Sequence, residues 1–243
     1  MRPEPGAAER GTILHDIMDH FLRGLPALPE SPELMSARLL EITDRVLADK
    51  VPWPSARLFW RARIAGVADR LMADEAARLT QGRPVVVEDY GSTEVPGMAF
   101  RLIARPDRMD RLTDGQVHVY DYKSGAAPTD RQIALFDKQL PLTAAMVEQG
   151  AFRDLGRADV AGISYIRLGG EGKTETRDFP PGFAQDTWAG FVDLIGRYLR
   201  GERGFTARLA MERSDHASDY DHLSRHGEWD MTTAASPERL GDG

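Results

Sequence analysis

Pro106-Asp107-Arg108-Met109-Asp110 and, a few residues on, Val117-His118-Val119-Tyr120-Asp121-Tyr122-Lys123-Ser124-Gly125 are the stretches on which the fold turns. In the second, Val117 and Val119 alternate with His118 and Tyr120 after an Asp114-Gly115 turn, the period of two that marks a strand. Residues 121 and 123 of such a strand project from one face. Asp121 and Lys123 therefore point together, on the face of Val117 and Val119. A D-x-K pair at a strand end is ordinarily a solvated ion pair of little energetic weight. Asp107 changes that reading. It stands fourteen residues before Asp121, at the end of the preceding strand, so a hairpin brings the two carboxylates together. Two carboxylates with a lysine beside them suit a hard, oxygen-ligated cation such as Mg²⁺. The cation would polarise a phosphoryl oxygen, and Lys123 would orient the attacking water or offset charge on the phosphate. The chemistry expected is hydrolysis of a phosphodiester.

Upstream of these strands the sequence reads as helical. Residues 9–25 carry Leu14, Ile17, Met18, Phe21 and Leu25 at helical spacing. Ser31-Pro32 opens a second helix to about Asp49, since Ser caps and Pro suits the first helical position. A third follows Trp53-Pro54-Ser55 and carries Phe59, Ile64, Val67, Leu71 and Leu79 on its apolar face. From Pro84 the texture becomes β-branched, with a hairpin turn at Pro96-Gly97 and alternation through Phe100, Leu102 and Ala104, which reads as an antiparallel meander. Helix is expected from Thr129 to about Gln149, then strands over Ala161–Leu168 and Thr174–Phe179, then an amphipathic helix over 183–201. The order predicts an α/β chain in which helices flank a mixed sheet. Its organisation is one domain over 1–230, with a helical part over about 8–80, a core over about 84–201, and a disordered tail over 231–243.

Composition narrows the class. The 243 residues contain no cysteine, which removes zinc ribbons, iron–sulfur clusters, thiol catalysis and disulfides. No apolar run approaches the ~20 residues of a membrane span, and no secretory signal is visible, so a cytoplasmic location is expected. The net charge of −7 is uneven, with −5 after Ala210 and −2 before it. A strongly basic nucleic-acid binder is thereby excluded, and contact with phosphates must come from a local patch. Arg105, Arg108 and Arg131 are the candidates, in a segment that also holds acids. Glu94, before the Pro96-Gly97 turn, is a candidate supporting acid. Asp110, Asp114 and Asp130 read as turn or surface acids, and His118, facing away from Asp121, as structural. No G-x-x-x-x-G-K-[ST] motif is present, so no nucleotide site is expected.

P-D-R-M-D followed by V-x-D-Y-K-S-G resembles motifs II and III of the PD-(D/E)XK nuclease superfamily, in the version of the RecB-like nucleases. Arg10-Gly11-Thr12-Ile13-Leu14-His15 is similar to the R-G-x-x-x-H motif of that family, and Gln139-Leu140-Pro141-Leu142 to its Q-L-x-L motif. The resemblance implies a restriction-endonuclease-like mixed sheet and a Mg²⁺-dependent (Mn²⁺ possible) DNA exonuclease. It implies metal ligation by His15, Asp107, Asp121 and the Tyr122 backbone carbonyl, with Asp107, Asp121, Lys123 and Gln139 catalytic and Gln139 also touching DNA. The wider family often has Tyr where Thr143 stands, which bears on the DNA contact of that helix.

Gln139-Leu-Pro-Leu-x-Ala-Ala-Met146 and Asp219-Tyr-Asp-His-Leu-Ser-Arg-x-Gly-Glu-Trp229 further resemble the nuclease domain of AddB, of the alphaproteobacterial type. That likeness implies a role in double-strand break repair and recombination, single-stranded DNA at the active site, and an AddA-like helicase–nuclease partner. The iron–sulfur cluster that many such proteins carry is not expected without cysteine. A stand-alone RecB-like exonuclease and a catalytically inactive DNA-binding scaffold of the same fold are the alternatives.

Overall fold

A computed structural model describes residues 7–206, 221–225, 227–229 and 232. Asp219, Tyr220 and His226 of the Asp219–Trp229 motif and, apart from Thr232, the tail expected to be disordered lie outside the described residues. The chain divides into two compact units, 1–188 and 189–243. In the second, Tyr198 stacks on Phe205 with ring centroids 4.8 Å apart, and the Trp229 indole donates to the Ser224 carbonyl at 2.7 Å.

Unit 1 is built on a five-stranded sheet. In spatial order its strands are β1 (Gly82–Val87), β4 (Arg108–Leu112), β5 (Val117–Lys123), β6 (Val160–Arg167) and β7 (Thr174–Arg177). β5 and β6 run parallel, and every other neighbouring pair is antiparallel. A parallel pair needs a crossover. Here α4 (Asp130–Leu135) and α5 (Gln139–Glu148) supply it. On one face of the sheet α1 (Ala7–Arg23), α2 (Pro32–Lys50) and α3 (Pro54–Gln81) pack against Tyr120, Tyr122, Ile166 and Leu168. On the other face α5 packs against Met109, Val117, Val119 and Ile163. The alternation along β5 sends its tyrosines to the helical layer and its valines to α5. A mixed sheet flanked by helices is thus the architecture, as its sequence pattern predicts. The α6 helix spans Phe183–Leu199.

Local chemistry accounts for the helix ends. The Ser31 hydroxyl accepts from Leu34 N–H at the start of α2, with Pro32 as the first helical residue. Thr129 and Gln132 form a reciprocal capping box at α4.

Three features depart from the pattern read in the sequence. The helix expected over 129–149 is two helices, because the chain turns at Phe136–Lys138, where the N–H groups of Phe136 and Asp137 both bond to the Gln132 carbonyl. Pro141 falls in the first turn of α5, where its missing N–H costs nothing. The meander is interrupted as well. β2 (Gly91–Glu94) and β3 (Arg101–Ala104) pair only with each other, and β1 skips them to pair with β4. The inserted hairpin docks elsewhere: Ser92 N–H donates to the Ala151 carbonyl at 3.0 Å, and Gly91 lies so close to Phe152 that a Cβ would sit 2.3 Å from the ring. Lastly, Phe59 is not on the apolar face of α3. It is 58% exposed, and Trp60 takes the inward position at 8%.

A buried ion network ties α3 to the sheet. Arg108 of β4 is wholly buried, with both Asp110 carboxylate oxygens at 2.6 Å and Glu75 of α3 at 2.7 Å. Arg78 donates to the same Glu75 oxygen at 2.9 Å, and the Tyr122 hydroxyl lies 3.4 Å from Arg108. Burial works against an ionised Glu75, but Arg108 and Arg78 outweigh it and hold the carboxyl down at about 2. Removing one partner of a buried pair strands the other charge. Glu75→Ala is therefore expected to cost about 3–5 kcal/mol in urea denaturation. A loss below about 1 kcal/mol, the scale of an exposed pair, would show that Asp110 alone balances Arg108.

Candidate metal centre

The C-terminal end of β5 gathers side chains from three distant segments. Asp121 Oδ2 lies 2.8 Å from Lys123 Nζ, as two residues apart on one strand face allow. Gln139, the first residue of α5, donates from Nε2 to Asp121 Oδ1 at 3.0 Å. Asp107 directly precedes β4, and the pairing of Arg108 with Tyr120 brings it to the end of β5. Its Oδ2 accepts the Tyr122 N–H at 2.7 Å. His15 of α1 reaches across from the helical layer. Its Nε2 lies 2.9 Å from the Tyr122 carbonyl oxygen, and its Nδ1 faces Asp107 Oδ1 at 3.2 Å and Glu88 Oε1 at 3.4 Å.

His15, Glu88 and Asp107 offer ligand atoms that all lie within 4.8 Å of one another. One imidazole nitrogen with carboxylate oxygens is a donor set that fits a divalent cation. The Tyr122 carbonyl, expected as a ligand, is engaged with His15 Nε2 and turns Nδ1 toward the carboxylates, the usual office of an outer hydrogen bond on a ligating histidine. Asp121 is outside that triad, held between Lys123 and Gln139.

The electrostatics are those of a site with surplus negative charge. Burial disfavours a charged His15, yet the hydrogen bond and charge of Asp107, the Glu88 carboxylate and the Tyr122 carbonyl prevail and raise it to about 9. Burial and the nearby Asp107 push Asp121 up to about 6 against the pull of Lys123. Glu88 is raised by burial and by Asp107, with Arg105 and His15 opposing. Carboxylates this reluctant to ionise together are ones that a cation would relieve.

Glu88 is the member that sequence reasoning missed. Its neighbour Val87 pairs with Arg108, so Glu88 stands opposite Asp107. The signal was an acid ending the β-branched run from Pro84, legible only if β1 is paired with β4. Glu88 has φ 52°, in the left-handed region, and its N–H is shared by the carbonyls of Pro106 and Asp107. Such a conformation persists where the surroundings enforce it. Glu94, the acid proposed instead, lies on the separate hairpin, exposed and paired with Arg101 at 2.6 Å.

The arginines part ways. Arg105 stands at the site, with its Nε donating to the Glu88 carbonyl at 2.9 Å and lying 3.1 Å from the carboxylate. Arg131 is exposed on α4. Arg108 cannot meet a phosphate, because it is buried and bound to Glu75 and Asp110, and Asp110 is likewise a buried acid rather than a surface one. Asp114 caps its own turn by accepting from Gln116 N–H at 2.9 Å, and Asp130 is exposed. His118 is structural as expected: its Nε2 lies 2.8 Å from the Ser164 hydroxyl, and burial with Arg108 and Arg78 lowers it to about 4.

The sign of the His15 shift fixes a pH dependence. A histidine raised above its usual 6.5 stabilises the fold fully below that value and loses the contribution as pH rises through about 9. In the presence of a chelator the melting temperature should therefore fall between pH 6.5 and 9.5, and His15→Ala should flatten that slope. Calorimetry across this range checks it, and a melting temperature that climbs with pH in the wild type would contradict the site's charge balance.

Comparison with known proteins agrees with this geometry. A family model of the PD-(D/E)XK nuclease superfamily, whose enzymes use divalent metal ions, matches residues 1–228. No curated protein matches the chain. With the match covering both the helical layer that supplies His15 and the sheet that supplies Asp107, Asp121 and Lys123, the chain belongs to the PD-(D/E)XK nuclease superfamily.

Proposed function

We propose that this chain is a Mg²⁺-dependent deoxyribonuclease, also served by Mn²⁺, that cuts single-stranded DNA as an exonuclease. Its setting is double-strand break repair and recombination, with an AddA-like helicase–nuclease subunit delivering the strand. The observation that carries the enzymatic reading is the convergence of His15, Asp107 and Glu88 beside the Asp121–Lys123 pair at one strand end. The biological setting rests on the likeness of Gln139–Met146 and Asp219–Trp229 to the nuclease domain of AddB.

Hydrolysis forms a bond between water oxygen and phosphorus, breaks the phosphorus–oxygen bond to the leaving sugar, and moves a proton from the water to the leaving group. A divalent cation would be held by His15, Asp107 and Glu88, with the Asp121 carboxylate beside them, and would supply Lewis acidity to the phosphoryl oxygen. Lys123 is partly exposed at 27%, so its ammonium is available to the attacking water or the phosphate. Gln139 fixes the Asp121 carboxylate from the other side, and the Tyr122 carbonyl fixes His15. These contacts hold the reacting groups in place before substrate arrives.

Asp121 and Lys123 should fail differently when removed. Asp121→Ala takes away a carboxylate, so metal affinity drops and excess Mg²⁺ or Mn²⁺ restores part of the cleavage. Lys123→Ala leaves the carboxylates, so metal still binds while turnover falls by about 10²–10³, the scale of losing one charge-stabilising donor. No metal concentration should rescue it. Metal binding by calorimetry beside a Mg²⁺ titration of oligonucleotide cleavage tests both, and wild-type rates in both variants would leave D-x-K an ordinary ion pair.

A further inference from the structure

Two clefts flank His15 along α1, and their chemistry is opposite. One, open and polar, is lined by Asp16, Asp19 and Glu88 with Arg105 as its cation besides His15. The other contains no acid: Arg10, Arg63 and Ser124 stand over a floor that includes Ile13, Trp60 and Leu168. Ser124 follows Lys123, so this second cleft opens at the very strand end that carries the candidate chemistry. Arg10 and Arg63 have no carboxylate partner among the described residues, and Arg10 Nε is buried without a hydrogen bond. Most of the other arginines around the metal centre are committed, Arg105 to Glu88 and Arg108 to Glu75 and Asp110.

Beside the cleft stands an exposed aromatic. The Arg63 guanidinium lies 5.6 Å from the centroid of the Phe59 ring, one turn earlier on α3. Phe59 is 58% exposed. Gly169, at the end of β6, runs between Arg63 and Ser124, and a Cβ there would lie 3.0 Å from the Ser124 carbonyl and 3.7 Å from the guanidinium. A side chain at 169 would stand in the passage. Two guanidinium groups without a carboxylate partner among the described residues, with an exposed ring beside them, form a surface that tracks a phosphate backbone and stacks a free base. A paired base offers no free face, so the ring favours an unpaired strand.

We infer that the Arg10–Arg63–Phe59 cleft is the path by which a single strand of nucleic acid reaches the Asp121–Lys123 strand end, with a base on Phe59 and phosphates on the two arginines. The inference rests on the nuclease reading for its direction, since it takes the strand end as the destination. It adds a binding surface on α1 and α3, apart from Arg105, Arg108 and Arg131, the arginines singled out by sequence.

The test is binding of a fluorescent 12-nucleotide oligothymidylate to the whole chain, by anisotropy in Ca²⁺. Phe59→Ala should weaken binding about tenfold, within the range of one lost base stack, and Phe59→Trp should keep it within about twofold. Arg63→Ala and Arg10→Ala should each reduce the slope of log affinity against log salt by about one. A duplex of the same length should respond little to Phe59→Ala. Because Phe59 is exposed, an unchanged melting temperature shows that the variant is folded. Single-strand binding within about twofold of wild type in Phe59→Ala would overturn the proposed path. Cleavage of DNA by the wild type with Mg²⁺ or Mn²⁺ is scored separately. A chain that binds through Phe59 but never cuts refutes the nuclease chemistry and keeps the path, and one that cuts with no dependence on Phe59 does the reverse.

Discussion

Arg108 carries a full positive charge into a place without water, and much of unit 1 is arranged around keeping that charge satisfied. Both oxygens of Asp110 and one of Glu75 face it, so a strand and a helix distant in sequence are locked in one register. The lock reaches the site through geometry. With Arg108 and Asp110 pointing into the helical layer, Met109 turns to the α5 side, and Asp107 is left at the strand's entrance, where its carboxylate meets the Tyr122 N–H. Replacing such a network by apolar residues often leaves stability unchanged or improves it. What the ions add here is a fixed position for the residue beside them.

The peptide of Tyr122 is the second fixed point. Its N–H goes to Asp107 and its carbonyl to His15, so groups from β4 and α1 are placed by one rigid plane on β5. The Tyr122 side chain, meanwhile, is buried in the helical layer with its hydroxyl near Arg108. Burial and hydrogen bonding thus secure the backbone atoms that do the placing. On the opposite face Asp121 is buried between Lys123 and Gln139, and Lys123 is partly open to solvent.

Much of this could be read from the sequence because the signals are local. Period two along Val117–Lys123 put Asp121 and Lys123 together, and the helix boundaries at Pro32 and Pro54 follow from caps and proline preferences. What could not be read depends on pairing between distant segments. An inserted hairpin looks like the next strand of a meander, so the pattern favours Glu94 as the supporting acid over Glu88, although only Glu88 stands opposite Asp107. Asp110 and Arg108 look like surface charges until each is known to neutralise the other. Phe59 fits an apolar stripe by spacing, and only the packing of Trp60 shows which neighbour the core accepts.

The site also explains how the fold tolerates its own acids. Glu88, Asp107 and Asp121 come together with burial that resists their ionisation, a combination that would be destabilising if nothing answered it. Three cations built into the chain answer it at neutral pH: Lys123 against Asp121, Arg105 against Glu88, and a protonated His15 against Asp107 and Glu88. A divalent ion and the His15 proton compete for the same nitrogen, so loading the site releases a proton instead of adding charge to an unprepared cavity. Either occupant balances the carboxylates. The backbone at Glu88, in the left-handed region, is held by the Pro106 and Asp107 carbonyls, which keeps its carboxylate beside Asp107.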